Sequence, residues 1–459
     1  MILPHLLFLF GVTLFSPVQV RGDDEALKQG QQALEKNDYT AAIKSFTEAI
    51  KADPTNAEAY WGRATAHWGK SDLDKAIADL NEAVKLDPNN EIYFRTRGHV
   101  HKQKKEYQKA IDDYSEVIKL KPDDAFAYSQ RGYAYMEKKE YVKAIADFDD
   151  AIRLEPDDSA HHAARGQAFS ANGDYDRALA DYAEAIKLKP DEHTLYVGRA
   201  LIFSNRKEFT KALDDWGRAI RLDPGNAFYY SGRARVHHNK KDLDKAIADY
   251  SSAIKLDPKA AYLYFARALI YQEKRAYDQA IADFNELVRL NPKDAGIYES
   301  RGFAYAAKQD HDKAIADYTT AIGLEPKRPG SYANRAYAYQ AKKDYVKAIS
   351  DFEAAIRFEP TGADNYNALA WLWATCSDGK LRNAKKAIDY ARKACELTAW
   401  KSGAILDTLA AAYAESGQFD EAVNWEKKAL AMPDLANQVG DSARARLKLY
   451  QQRKPYREN

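Results

Sequence analysis

Apolar residues of two sizes alternate along the chain with one long, fixed period. Counting position 1 of a 34-residue unit from Asp23, position 20 is Ala in ten successive units, from Ala42 and Ala76 through Ala314 to Ala348. Position 8 is Gly or Ala throughout, as in Gly30, Ala64, Gly98 and Gly132. Position 24 is large and apolar: Phe46, Leu80, Tyr114, Phe148, Tyr182, Trp216, Tyr250, Phe284, Tyr318 and Phe352. Within a unit the spacing predicts helix, short turn, helix. In the fourth unit, Ala125 to Asp158, a first helix (A) is expected over Ala125–Lys138, with Tyr128, Gly132 and Tyr135 on one stripe. Glu140-Tyr141 opens a second helix (B), which turns Ala144, Phe148 and Ala151 inward. Leu154-Glu155-Pro156 ends it, because proline cannot continue a helix and disfavours helical geometry in the residue before it. Asp157 and Asp158 are placed to cap the next helix A.

The closing proline recurs at 54, 88, 122, 156, 190, 224, 258, 292, 326 and 360, with no drift. A fixed period of this length predicts a solenoid, in which each helical hairpin buries its apolar face against the next. Small residues at 8 and 20 let two helices approach closely, and large ones at 4, 11 and 24 fill the space beside them.

This pattern of a bulky residue at 4, Gly or Ala at 8, an aromatic at 11, Ala at 20, an aromatic at 24 and Pro at 32 resembles the tetratricopeptide repeat. The resemblance implies an all-α, right-handed α-solenoid of about twelve antiparallel helix pairs with a C-terminal capping helix. Ten regular units span 23–362 and two divergent units 363–436, and 437–459 forms the capping helix and tail. In the eleventh unit helix B restarts late, with Ala387 in the place expected at 382, so the polar stretch Ser377 to Lys386 lengthens one turn. The last helix is expected over Gln438 to Arg453. The segment from Asn367 through Leu406–Glu415, and the ending Lys454-Pro455-Tyr456-Arg457-Glu458, resemble the C-terminal portion of secreted repeat proteins from planctomycete-type bacteria, which supports a bacterial origin.

Two polar positions repeat as strictly as the apolar ones. Position 7 is Arg in nine successive units, Arg63 to Arg335, and position 23 is Asp in nine, Asp79 to Asp351. The first unit lacks both, with Gln29 and Ser45 instead. The coincidence predicts a structural ion pair between helices A and B of one unit, largely buried.

Composition narrows the function. Lys+Arg is 69 and Asp+Glu is 68, so no net field drives the chain towards nucleic acid or lipid headgroups. Residues 1–22 read as a signal peptide: the apolar run Leu6 to Phe15 is too short to span a bilayer, and Val20-Arg21-Gly22 offers a cleavage site before Asp23. The run lacks a preceding Lys or Arg, so an uncleaved membrane anchor is the alternative to a secreted or periplasmic protein.

No catalytic constellation is expected, nor a metal or other cofactor. Cys376 and Cys395 are separated by most of a helix, about 18 Å, and read as two free thiols. His67, His101 and His237 occupy position 11, an aromatic core slot. Lys104-Lys105, Lys138-Lys139, Arg206-Lys207, Lys240-Lys241 and Lys342-Lys343 all fall at positions 14 and 15, the end of helix A, where cations complement the helix dipole.

The family resemblance implies that A helices carry ligands at positions 2, 5, 6, 9, 12 and 13. Those slots hold Trp61, Trp68, Phe126, Tyr133, Leu201, Phe228, Tyr262, Phe265, Leu269, Phe303, Tyr337 and Trp371. So many apolar groups predict an aromatic groove that captures an extended peptide or a partner helix. The competing reading is that successive A helices pack these side chains against each other. The carboxylate clamp that family members use for acidic peptide ends is missing: Asn334 at position 6 has Glu299, Phe303, Asp364 and Ala368 around it. The expected function is therefore a non-enzymatic scaffold for protein or peptide partners. The alternatives are a self-associating or envelope-tethered assembly platform that uses outer faces and edges, and an enzyme with an unrecognised site.

Overall fold

The computed structural model describes residues 25–458, and the expected signal peptide lies outside them. Among the described residues there are 25 helices and no strand. They form two compact units divided after Gly225.

The first unit holds six helix pairs. These are α1 (Glu25–Glu35) with α2 (Tyr39–Ala52), α3 (Ala57–Gly69) with α4 (Leu73–Leu86), and α5 (Glu91–Gln103) with α6 (Tyr107–Leu120). Then follow α7 (Ala125–Glu137) with α8 (Tyr141–Leu154), α9 (Ser159–Ala171) with α10 (Tyr175–Leu188), and α11 (His193–Asn205) with α12 (Phe209–Leu222). The second unit continues with α13 (Ala227–Asn239), α14 (Leu243–Leu256), α15 (Ala261–Glu273), α16 (Tyr277–Leu290), α17 (Ala295–Ala307) and α18 (His311–Leu324). It ends with α19 (Pro329–Ala341), α20 (Tyr345–Phe358), α21 (Ala363–Thr375), α22 (Ala384–Leu397), α23 (Gly403–Glu415), α24 (Phe419–Leu430) and α25 (Pro433–Gln451). Within each unit every odd-numbered helix up to α23 packs on the helix after it, and consecutive pairs stack.

The small and large positions behave as expected. All ten alanines at position 20 are fully buried, and the position 24 rings lie beside them. Position 8 is tightly pressed. A Cβ built on Gly132 would stand 2.8 Å from the Phe148 ring, and one on Gly302 equally close to Tyr318. Glycine there sets how near the two helices come.

The helix ends follow from local chemistry. Asp158 caps α9 by accepting from the Ala160 amide at 2.8 Å, whereas Asp157 plays no such part. Glu155, held out of helical geometry by the proline after it, ends α8. Helix α7 stops at Glu137, one residue before the expected end, because Lys138 caps it and Lys139 takes a left-handed φ of 61°. The amide of Glu140 then reaches the Tyr135 carbonyl at 2.9 Å, and that of Lys139 the Met136 carbonyl at 2.9 Å. These two bonds make the helix-ending Schellman motif. The same left-handed residue stands at position 15 in Ser71, Lys105, Lys207, Lys241, Arg275, Gln309 and Lys343.

The extended turn of the eleventh pair spans 376–383, and Asn383 caps α22 from its end, accepting from the Lys386 amide at 3.0 Å. The last helix starts earlier than expected, at Pro433, a residue suited to a helix's first turn. It ends two residues early, because Arg453 turns left-handed with a φ of 55°. No helix among the described residues is long and apolar enough to cross a membrane.

The nine Arg–Asp pairs form as predicted, each a two-point contact. Arg131 donates from Nε to Asp147 Oδ2 at 2.9 Å and from Nη2 to Oδ1 at 2.7 Å. A further contact was not foreseen. In seven of the nine, Arg Nη1 also reaches position 25 of the preceding pair: Thr47, Asn81, Ser115, Asp149, Ser251, Asn285 or Thr319. For Arg199 that position is Ala183, which accepts nothing. Burial raises the carboxyl pKa of Asp113, Asp147 and Asp283, with the arginine opposing it. The guanidiniums of Arg199 and Arg335 are raised above their ordinary value, chiefly by the hydrogen bond to their aspartates.

Candidate functional site

The aromatic positions expected to line one open groove divide into two groups. Those of the first unit are largely used up in packing. Trp61 is only 7% exposed, its ring set against Tyr93 and its Nε1 donating to Thr96 Oγ1 at 3.0 Å. It is a core residue, contrary to expectation, because the next helix α5 brings both Tyr93 and Thr96 over it. Trp68 is half-buried, stacked on His99 with centroids 6.1 Å apart, and its Nε1 donates to Gln103 at 2.6 Å. Phe126 lies 5.6 Å from the same His99 ring, Tyr133 meets Phe148 edge-on at 5.2 Å, and Leu201 is half-buried.

His99, at position 9, is the residue that sequence reading passed over. Its aromatic neighbours one pair before and one pair after are the signal that marks it as part of a continuous stack. Burial drives its pKa down to about 3, so the ring is neutral. Lys102 beside it donates to Gln130, and burial lowers its pKa.

The second unit differs. Phe228, Tyr262, Phe265, Leu269, Phe303 and Tyr337 are each between 38% and 57% exposed. They come from α13, α15, α17 and α19, four A helices in succession. Tyr262, Phe265 and Phe303, with Glu299, Arg328 and Asn334, line an open groove of about 580 Å³. Both carboxylates of its lining are already answered: Asp294 accepts from the Gly296 amide at 2.8 Å, and Glu299 accepts from Arg328 Nε at 2.5 Å and from Asn334 Nδ2 at 3.2 Å. Asn334, the remnant of a carboxylate clamp, is thereby engaged within the fold. Phe265 and Tyr337 stand edge-on to the buried rings Phe284 and Phe352, at 6.3 and 5.0 Å, so the exposed rings are braced from below. Such a surface can bury apolar side chains and hydrogen-bond a peptide backbone, with little net charge.

Trp371, next in the series, is half-buried and covered by the segment after α25.

The other candidates make contacts within the fold. His101 Nδ1 lies 2.7 Å from Glu106, and His101 and His237 each lie 3.9 Å from the position 23 aspartate of their own pair. His161 lies 2.8 Å from Ser129 Oγ and 3.1 Å from Glu155, and His162 contacts the Pro156 carbonyl. Cys376 and Cys395 are buried free thiols, and burial pushes the Cys395 thiol up to about 12. Cations at position 14 pair with the Asp at position 18 of the preceding pair: Lys104 with Asp74, Arg206 with Asp176, Lys274 with Asp244, Lys308 with Asp278 and Lys342 with Asp312.

Comparison with known proteins agrees with this architecture. Family models described as "Tetratricopeptide repeat" match residues 27–91, 163–227 and 300–368, and others of the same description match 233–301, 125–158 and 403–432. One described as "TPR repeat" matches 98–139. No curated protein matches the chain. Among solved structures, a tetratricopeptide repeat protein from Parabacteroides merdae is 19% identical, covering 54% of this chain and 97% of its own, at a TM-score of 0.45. The Cut9–Hcn1 structure is 14% identical over 94% of this chain and 96% of its own, at 0.41. YrrB, described as a TPR protein with an unusual peptide-binding site, is 22% identical over 43% of this chain and 97% of its own, at 0.36. Helix pairs of fixed period, small residues where they touch and family models matched along the chain lead to one assignment: this protein belongs to the tetratricopeptide repeat family.

Proposed function

We propose that the protein is a non-enzymatic scaffold that holds an extended peptide or a partner helix on the A-helix face of its second unit. Membership in a family of protein–protein interaction repeats supports the scaffold role. One observation carries the finer reading: six large apolar side chains stay substantially exposed at successive ligand-facing positions, where the first unit buries or half-buries its counterparts. Covering an exposed ring removes on the order of 100 Å² of apolar area from water, about 2 kcal/mol each before ordering costs. Three such rings give about 6 kcal/mol before those costs, so a peptide would also need hydrogen bonds along its backbone. The groove's near-neutral lining favours apolar peptides over acidic ones.

The test is a display library of extended peptides screened against the intact chain and against Tyr262→Ala/Phe265→Ala/Phe303→Ala. Loss of the selected peptides by the triple variant, with an unchanged helical melt, supports the groove. Undiminished capture sinks it and points to the outer faces. We further propose that residues 1–22 direct export; N-terminal sequencing of the mature protein that begins at Met1 refutes this.

A further inference from the structure

The segment after the last helix lies on the A-helix face as a peptide would. Arg453 turns the chain out of α25, and residues 454–458 continue without helix. Tyr456 sets its ring 5.9 Å from that of Trp371. Arg457 pairs with Glu415. Glu458 accepts from Trp371 Nε1 at 2.6 Å, and its backbone amide donates to the Thr375 carbonyl at 2.9 Å. The Arg446 guanidinium faces both rings, 5.3 Å from Trp371 and 5.6 Å from Tyr456.

The receiving residues are not arbitrary. Trp371 stands at position 9 of its pair, as Leu269, Phe303 and Tyr337 do in theirs, while Thr375 and Glu415 stand at position 13 of successive pairs. The segment uses a non-helical backbone, one aromatic anchor and one charge of each sign. Residues 455–458 are half-buried, so they cover the site without being sealed in. Helix α25 has its own attachments: Arg446 binds Asp407 at two points of 2.8 Å, and Tyr450 is fully buried. The segment is therefore not what holds the helix down.

We propose that Tyr456-Arg457-Glu458 is a tethered occupant of a second peptide site, built by Trp371, Thr375, Glu415 and Arg446. Once displaced, it leaves a site for an external extended segment with the same order of groups: aromatic, guanidinium, carboxylate. This rests on the reading that the A-helix face binds peptides, but uses residues separate from the open groove. A tethered ligand works at millimolar effective concentration, so an external peptide competes poorly until the tether is removed.

The experiment truncates the chain after Arg453 and titrates it with a labelled peptide of residues 454–459, following anisotropy and Trp fluorescence. Saturable binding, about tenfold or more tighter than to the intact chain, is expected. It should be lost in truncated Trp371→Leu, and with peptides in which the Tyr or the Arg is Ala. It should persist in truncated Tyr262→Ala/Phe303→Ala, which separates this site from the groove. No saturable binding by a truncated chain that keeps its helical melt overturns the proposal. If truncation lowers the melt, full-length Glu458→Ala takes its place, and binding no better than the parent's is then the refuting result. A dimer that forms with the segment present and disappears on truncation would replace this reading with exchange of the segment between copies.

Discussion

Removing Arg131 from its pair with Asp147 tests the repeated ion pair most directly. Asp147 is 4% exposed, and its two oxygens accept from Nε and Nη2 at 2.9 and 2.7 Å. Charge centres about 4 Å apart at an effective dielectric of 20 interact by about 4 kcal/mol. In Arg131→Met the carboxylate stays buried without its partner, and the Ser115 hydroxyl loses the Nη1 donor 3.0 Å away. We expect a loss of about 3–5 kcal/mol, read as a lower urea midpoint by far-UV circular dichroism. Arg131→Met/Asp147→Leu should return to within about 1–2 kcal/mol of the parent, since an apolar replacement of the whole pair leaves no orphan charge. The pH dependence has a definite sign. Burial already raises the Asp147 carboxyl, and removing the arginine raises it further. A carboxyl whose pKa is higher folded than unfolded gains stability as pH falls towards the unfolded value near 4. The deficit of Arg131→Met should therefore be greatest above neutrality and shrink in acid. Losses that simply add in the double variant, or a single-variant loss under about 1 kcal/mol, would refute the argument.

Three further outcomes follow from the same geometry. Gly302→Ala places a methyl 2.8 Å from the Tyr318 ring, and should lower stability by about 1–2 kcal/mol in urea melts despite alanine's better helix propensity. Lys139→Gly relieves a left-handed residue with a φ of 61° and should raise stability by about 0.5–1 kcal/mol; a decrease would show that the lysine makes compensating contacts. Glu426 is fully buried, and burial, then the Asp407 charge, raises its carboxyl well above the ordinary range, so it is protonated in the fold. The stability this proton supports is complete below the unfolded value near 4 and falls as pH rises towards the folded one. Glu426→Gln should gain on the parent by about 1 kcal/mol or more between pH 5 and 8 in thermal melts, whereas a constant difference between the two refutes it.

The sequence alone determined the helix pairs, their closing prolines and the Arg–Asp partnership, because each depends on residues within one period. Pro156, Ala144, Phe148, Arg131 and Asp147 act inside a single hairpin, so their spacing states their geometry. What the tertiary structure decided lies between hairpins. Ser115 and Asp149 join the arginines of the next pair, and Asp74 and Asp176 receive cations from the following one, contacts whose partners stand in different periods. The same holds for the candidate site. Trp61 and Phe303 occupy equivalent classes of position and look alike in sequence, yet one is sealed and the other open. Exposure depends on what the neighbouring helix brings over a ring: Tyr93 and Thr96 close over Trp61, while Phe303 stands 54% exposed. That residues 454–458 return to cover Trp371 was beyond reach for the same reason, since a contact spanning 87 residues leaves no trace in a 34-residue repeat.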